Sequence, residues 1–176
     1  NSGAGQTIYT ITADANDGGT IASYAISGTD AALLSVNAGG VVTLTSNPDY
    51  ETKNSYSFTV TATDAAGTSN ATTVTFSITN VDEVVPTITS GATGTNKAEN
   101  SGAGQTIYTI AATANDGGTI ASYAIAGTDV DAVLLSVNAG GVVTLTADPD
   151  YETKPSYSFT VTASDAAGTS AATTVT

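Results

Sequence analysis

The stretch NPDYETK, residues 47–53, sets Asp49 and Glu51 on either side of Tyr50, and DPDYETK, residues 148–154, sets Asp150 and Glu152 around Tyr151. Carboxylates this close have three chemical uses. As the acid and base of a glycosidase they must face each other across a substrate, roughly 5 to 9.5 Å apart, and two acids one residue apart frame no cleft by themselves. There is no histidine to activate a serine or threonine either, so the sequence points away from an enzyme. As part of a solvated turn they need no partner, since Pro-Asp starts turns readily. As cation ligands they need company, because calcium takes six to eight oxygens at about 2.3–2.6 Å.

Company is present. SITNVDEVVP (77–86) gathers Asn80, Asp82 and Glu83; Glu99 and Asn100 follow at AEN, and Asn115 and Asp116 lie in the turn ANDGG. Without cysteine or histidine the chain has only carboxylates, amides, hydroxyls and carbonyls to offer, which suits calcium or magnesium rather than a transition metal. Sixteen acids against three lysines and no arginine give a net charge of −13, which excludes the phosphate chemistry of nucleic-acid or anionic-membrane binding. No apolar run approaches the ~20 residues that span a bilayer, so direct membrane insertion is not expected. DANDGG (14–19) opens like an EF-hand loop, but Ala25 stands where the twelfth-position glutamate belongs.

The elements that position these residues come in two copies. Residues 1–30 match residues 100–129 with three substitutions, and residues 33–75 match 134–176 with five more, the offset changing from 99 to 101 across an insertion around Val130 and Asp131. Within each copy the apolar residues alternate. SYSFTVTAT (55–63) sets Tyr56, Phe58, Val60 and Ala62 against Ser57, Thr59, Thr61 and Thr63. TIYTITA (7–13), IASYAIS (21–27), GVVTLT (40–45) and ATTVTFSI (71–78) show the same period, the mark of strands packed on a core from one side. With LLSVN (33–37) and VPTITSG (85–91), each complete unit has about seven short strands separated by Gly-, Asn- and Asp-rich turns. The fold expected is all-β: tandem seven-stranded Greek-key β-sandwiches. The repeats run over 1–83, lacking a first strand, and 84–176, truncated in the last strand, so an excerpt of a longer array is expected.

In their order, AEN (98–100), the Asp-x-Asn turn, DYE, ATDAAG and ITNVDEVVP resemble the cadherin domain motifs PEN, DAD, DRE, A-x-D-x-G and D-x-N-D-N-x-P. The phrasing of SGTDAALLSVN and VTATDAAGTS is similar to cadherin-like repeats of large bacterial calcium-dependent surface adhesins of the type I secreted, RTX-adhesin kind. The resemblance implies a cadherin or immunoglobulin-like sandwich and Ca2+ as the bound ion. It gives Asp49 and Glu51 the places of the DRE acids, and Asn80, Asp82 and Glu83 those of the linker motif. Asn115 and Asp116 fall in the second unit's DAD turn. Glu99 and Asn100 match PEN and would serve a junction after unit two with Asp150 and Glu152. Asp64 and Asp165 match the A-x-D-x-G acid and are expected to stabilise a turn. Thr113 stands where the first DAD acid belongs, although Asp14 keeps it in unit one, and Asn80 replaces an acid.

The function this implies is a calcium-rigidified extracellular spacer at the cell surface, whose partners are neighbouring repeats of the same chain and whose task is to project a distal adhesive domain. The alternatives are a polysaccharide-binding or homotypic binding module, and a subunit of a surface layer or filament in which a neighbouring chain donates the missing strand.

Overall fold

In a computed structural model that describes residues 2–126 and 131–176, the chain divides into two compact units, Asn1–Val81 and Asp82–Thr176. The first holds six strands: β1 (Thr7–Thr10), β2 (Ser23–Ser27), β3 (Leu34–Val36), β4 (Val41–Leu44), β5 (Ser55–Thr63) and β6 (Thr72–Ser77). They form two antiparallel sheets, in the orders β1-β4-β3 and β2-β5-β6. The pairings β1–β4 and β2–β5 join strands distant in sequence, as Greek-key connections do. The all-β sandwich read from the sequence is what the chain adopts.

Alternation decides which side chains enter the core. Along β5, Tyr56, Phe58, Val60 and Ala62 are buried, while Ser55 and Ser57 are exposed. Tyr56, Phe58 and Val60 pack with Ile11, Leu34, Val42 and Leu44, and a large apolar side chain of this kind is worth about 1.5–3 kcal/mol when fully buried. Phe76 from β6 stacks on Tyr56 with ring centroids 4.8 Å apart and meets Phe58 edge-on at 6.5 Å. The turn NAGG (37–40) is closed by the Asn37 side chain, whose Oδ1 accepts from the Gly39 and Val41 amides. Gly40 there has φ +78° and sits so near β1 that a Cβ would fall 2.8 Å from the Ile11 carbonyl oxygen.

The second unit repeats the plan with β7 (Thr87–Ile88), β8 (Thr106–Thr109), β9 (Ala112–Thr113), β10 (Ser122–Ala126), β11 (Leu135–Val137), β12 (Val142–Leu145), β13 (Phe159–Ser164) and β14 (Thr173–Val175). Its sheets are β10-β13-β14 and β11-β12-β8, with β7 paired to β9. The seven expected strand positions thus become eight segments, because one expected strand is interrupted between β8 and β9. VPTITSG is strand over only two residues. Beyond β7 the chain is held by single bonds, with Thr89 and Ser90 amides donating to the Ala111 carbonyl and the Tyr108 hydroxyl donating to Ser90 Oγ (2.7 Å) and to the Gly91 carbonyl. Leu33, expected at the start of a strand, lies instead in a 3-10 turn, Ala31–Leu33, which recurs as Ala132–Leu134.

Each unit also has an ion pair whose two members lie far apart in sequence. Lys53 Nζ lies 2.8 Å from Asp30 Oδ1 and 5.0 Å from the centre of the Tyr56 ring, and the Ser57 amide donates to Asp30 Oδ2 at 2.7 Å. Lys154, Asp131, Tyr157 and Ser158 repeat the arrangement. Asp131, which sequence comparison places in the insertion, therefore fills the role of Asp30, and the offset of 101 holds from this residue onward; Val130 lies outside the described residues. Two of the chain's three lysines are committed here.

Candidate metal centres

The loop between β4 and β5 is built by its own aspartate. Asp49 Oδ1 accepts from the Glu51 and Thr52 amides, Oδ2 accepts from Thr52 Oγ1 at 2.7 Å, and the Asp49 carbonyl accepts from the Lys53 amide. These donors, above all the Thr52 hydroxyl, hold the Asp49 carboxyl below the ordinary aspartate range. Gly3 N–H donates to Asn47 Oδ1 at 2.7 Å and tethers the loop to the N-terminal segment. Glu51 stands exposed beside the turn. Asn80 comes after β6 at the end of the same unit, half-buried.

The copy in the second unit has the same turn. Asp150 accepts from Glu152, Thr153 and the Thr153 hydroxyl, and Gly102 N–H donates to Asp148 Oδ1 at 2.7 Å. The Asp150 carboxyl is again lowered, chiefly by Thr153. Here a further strap is present. Asn100, in the left-handed region at φ 54°, donates its amide to the Pro149 carbonyl at 3.0 Å. That bond lays Glu99 against the loop, and one carboxylate oxygen each of Glu99, Asp150 and Glu152 lie within 4.8 Å of one another. Three exposed acids are thereby gathered by backbone geometry.

At residues 82–85 the second unit gathers another set. Asp116 Oδ2 accepts from the Glu83 and Val84 amides, both at 3.1 Å. Asn115, at φ 57°, donates its side-chain amide to the Val85 carbonyl (2.8 Å) and Thr87 Oγ1 (3.2 Å), which leaves its oxygen as the donor available to a cation. Asp82 turns inward with both carboxylate oxygens buried. It lies against Gly118, where a Cβ would collide with its carboxylate. Burial raises the Asp82 carboxyl above its ordinary value, and the hydrogen bond shared with Asp116 and the charges of Asp165 and Asp116 push it the same way.

Asp165 was read from the sequence as a turn residue, and half of it is one: Oδ1 accepts from the Ala167 and Gly168 amides, as Asp64 Oδ1 accepts from Ala66 and Gly67. Its Oδ2 is buried without a donor and its charge acts on Asp82. Sequence reasoning missed it because the two copies of the motif are alike. The difference lies in the lead-in segment, which passes over this loop close enough that a Cβ on Gly168 would meet Val85 Cγ1 at 3.1 Å.

A protein does not bury unpaired carboxylate oxygens side by side without compensation, because each loses water and repels the next. Such a donor set, hard oxygen throughout, fits a divalent cation of the calcium or magnesium type.

Comparison with known proteins agrees with this architecture. Residues 1–79 match the cadherin domain family. Over residues 1–79 the chain is thus similar to cadherin domains. Over 167 residues it is 31% identical to mouse protocadherin Fat 4, covering 90% of this chain and 3% of that protein, and over 142 residues it is 30% identical to the Drosophila melanogaster protocadherin-like wing polarity protein stan, covering 76% and 4%. The chain spans only a few per cent of the length of these relatives. Human protocadherin-24 EC1-2 shares the fold at a TM-score of 0.72 with 20% identity, covering 97% of this chain and 86% of that one. Chicken VE-cadherin EC1-2 does so at 0.65 and 20%, covering 98% and 88%. The Asp116 clamp and the DPDYETK turn thus sit on a cadherin-type sandwich.

Proposed function

We propose that the chain is a pair of extracellular cadherin repeats that take up calcium through their acidic loops and serve as stiffened spacers in a long surface adhesin. The observation that carries this reading is the burial of carboxylate oxygens on Asp82 and Asp165, whose like charges act on each other. Asp82, Glu83, Asn115, Asp116 and Asp165 would hold one site of the second unit, and Glu99, Asp150 and Glu152, with Asn100 beside them, the other. Asp49, Glu51 and Asn80 are the corresponding ligands offered by the first unit. A bound divalent cation supplies positive charge where the chain has none. The residues do the rest: Asp116 and Asn115 fix the lead-in segment by its backbone, and Asp82 and Asp165 are held inward so that neutralisation locks that segment in place. Near-identical copies suit a spacer, which needs equivalent modules rather than individual chemistry. The same threonine-rich, nearly identical copying supports a bacterial adhesin setting and placement at the cell surface.

The test is thermal unfolding of the full chain in millimolar calcium and in chelator. A ligand at a hundredfold excess over Kd stabilises by about 2.7 kcal/mol, which for a domain of this size raises Tm by at least ~10 °C. Equal melting curves in the two conditions would sink the proposal.

A second reading, a polysaccharide-binding or homotypic module, has one observation in its favour: Tyr151 is 66% exposed in the acidic loop, and an exposed ring is the usual platform for a sugar face. Retention on a polysaccharide column that is lost in Tyr151→Ala while the calcium response persists would favour it.

A further inference from the structure

Lys53 follows Asp49 by four residues and Glu51 by two, and Lys154 stands in the same relation to Asp150 and Glu152. The backbone makes that spacing matter. The Lys53 amide donates to the Asp49 carbonyl at 2.9 Å, and the Lys154 amide to the Asp150 carbonyl at 2.8 Å. In a turn closed from residue i+4 to residue i, a carboxylate and an ammonium lie on one side and pair readily. A lysine paired in that way would fix a positive charge on a loop whose acids are to receive a cation.

Both lysines turn elsewhere. Lys53 Nζ lies 2.8 Å from Asp30 Oδ1, and Lys154 Nζ lies 2.6 Å from Asp131 Oδ1. Each of these aspartates is buried and is held in place by a backbone donor, Ser57 N–H for Asp30 and Ser158 N–H for Asp131, both at 2.7 Å. Each ammonium also rests over a ring, 5.0 Å from the centre of Tyr56 and 5.1 Å from that of Tyr157, a cation–π contact. The lysine charge is felt at Asp30 and Asp131, whose carboxyls are lowered first of all by Lys53 and Lys154. The loop aspartates take their donors from the turn instead: Thr52 and Glu51 lower Asp49, and Thr153 and Glu152 lower Asp150. Glu51 and Glu152 stand exposed.

We propose that Asp30 and Asp131 are positioning residues for the acidic loops: each draws off the loop's own lysine and holds it against a tyrosine face. Asp49 with Glu51, and Glu99 with Asp150 and Glu152, thereby keep their charge for a divalent cation. This role rests on the calcium reading of those loops, and it adds to them two aspartates that touch no cation. An ion pair that only closed the fold could take its lysine from any neighbouring segment. Here the lysine comes from the position where it would otherwise neutralise a ligand. Without Asp131, Lys154 is free to swing onto Asp150 or Glu152, and calcium must then displace it.

Two measurements on the full chain test this. The first needs no calcium. Zero-length crosslinking with a carbodiimide, mapped by mass spectrometry, should join Lys154 to Asp131 in the wild type and to Asp150, Glu152 or Glu99 in Asp131→Asn. A Lys154 that joins none of those three acids in the variant would overturn the proposal. The second is a calcium titration followed by NMR at the Glu152 and Thr153 amides. Asp131→Asn should weaken binding there about two- to fivefold, the scale of one exposed ion pair, and leave the response of the Glu51 and Thr52 amides as it was. Lys154→Gln should not weaken it. Asp131→Asn combined with Lys154→Gln should restore the wild-type response although the ion pair is still missing. If all three variants weaken calcium binding alike, the pair merely braces the loop and the proposal fails; Lys154→Gln decides this alone if Asp131→Asn folds poorly. Amides that ignore calcium in the wild type would overturn the calcium reading, while the crosslinks still report whether Asp131 holds the lysine away from the loop.

Discussion

Asp82 and Asp30 are both shielded aspartates, and their surroundings set them to opposite tasks. Asp30 is met by the Lys53 ammonium and the Ser57 amide, which hold its carboxyl below the ordinary value of 3.8; Asp131 is held down likewise by Lys154, with burial opposing and the Ser158 amide assisting. A lowered folded-state pKa contributes stability above the unfolded value and loses it as pH falls through the folded one. The difference in urea midpoint between the wild type and Asp30→Asn should therefore be present at neutral pH and shrink as pH falls below the ordinary aspartate value; a difference that persists undiminished in acid would mean the ion pair is not its source. Asp82 instead has the acids Asp116 and Asp165 acting on it. Its raised carboxyl contributes stability at low pH that is lost as pH rises through the folded value. Asp82→Asn should accordingly raise the melting temperature of the second unit in chelator at neutral pH and shrink the rise produced by calcium. A variant that melts lower in chelator and still responds fully to calcium would remove Asp82 from the site.

Loops and strands differ in how much of them the sequence discloses. β5 is found at Ser55–Thr63, the span its alternation predicts, because period two is a local property and the core lies on one side only. The NPDYETK turn is similarly local, with Asp49 and Thr52 three residues apart. What local pattern could not disclose depends on pairings across tens of residues. The Asp30–Lys53 bridge, the second task of Asp165, and the reduction of VPTITSG to a two-residue strand all arise from what the fold brings alongside. Glu99, Asp150 and Glu152 were legible as ligand types, but their meeting depends on the Asn100 to Pro149 bond. At this scale Gly118 is the sharpest probe, because it has no side chain of its own and Asp82 occupies its space. Gly118→Ala should leave the strands intact by circular dichroism while displacing Asp82 and weakening calcium stabilisation severalfold; an unchanged calcium titration would show that Asp82 can act from elsewhere. Phe76→Ala, in contrast, removes a half-buried stacked ring and should cost up to about 3 kcal/mol in the first unit alone. Hydrogen exchange should then find Ser55–Ser57 less protected, and protection retained there would show that the ring does not hold the start of β5 in place.

For the molecule as a whole, the net charge of −13 permits two explanations of any calcium effect. General screening would act on both units alike, would be reproduced by monovalent salt, and would follow the Debye length of about 8 Å at physiological ionic strength. Site binding would be selective, because it needs the particular oxygens that Asp82, Asp116 and Asp165 converge. The test is therefore one of particular residues, because the second unit's site depends on Asp82 and Asp116 and not on its overall composition. Calorimetry should therefore resolve two transitions, assigned by Asp82→Asn for the second unit and Phe76→Ala for the first. Millimolar calcium should raise the second transition, Asp82→Asn should shrink that rise, and sodium chloride at ten or more times that concentration should reproduce little of it. If sodium chloride matches calcium, or if both transitions move together and ignore Asp82→Asn, the clusters serve only as diffuse charge and the cation-locked spacer has no basis.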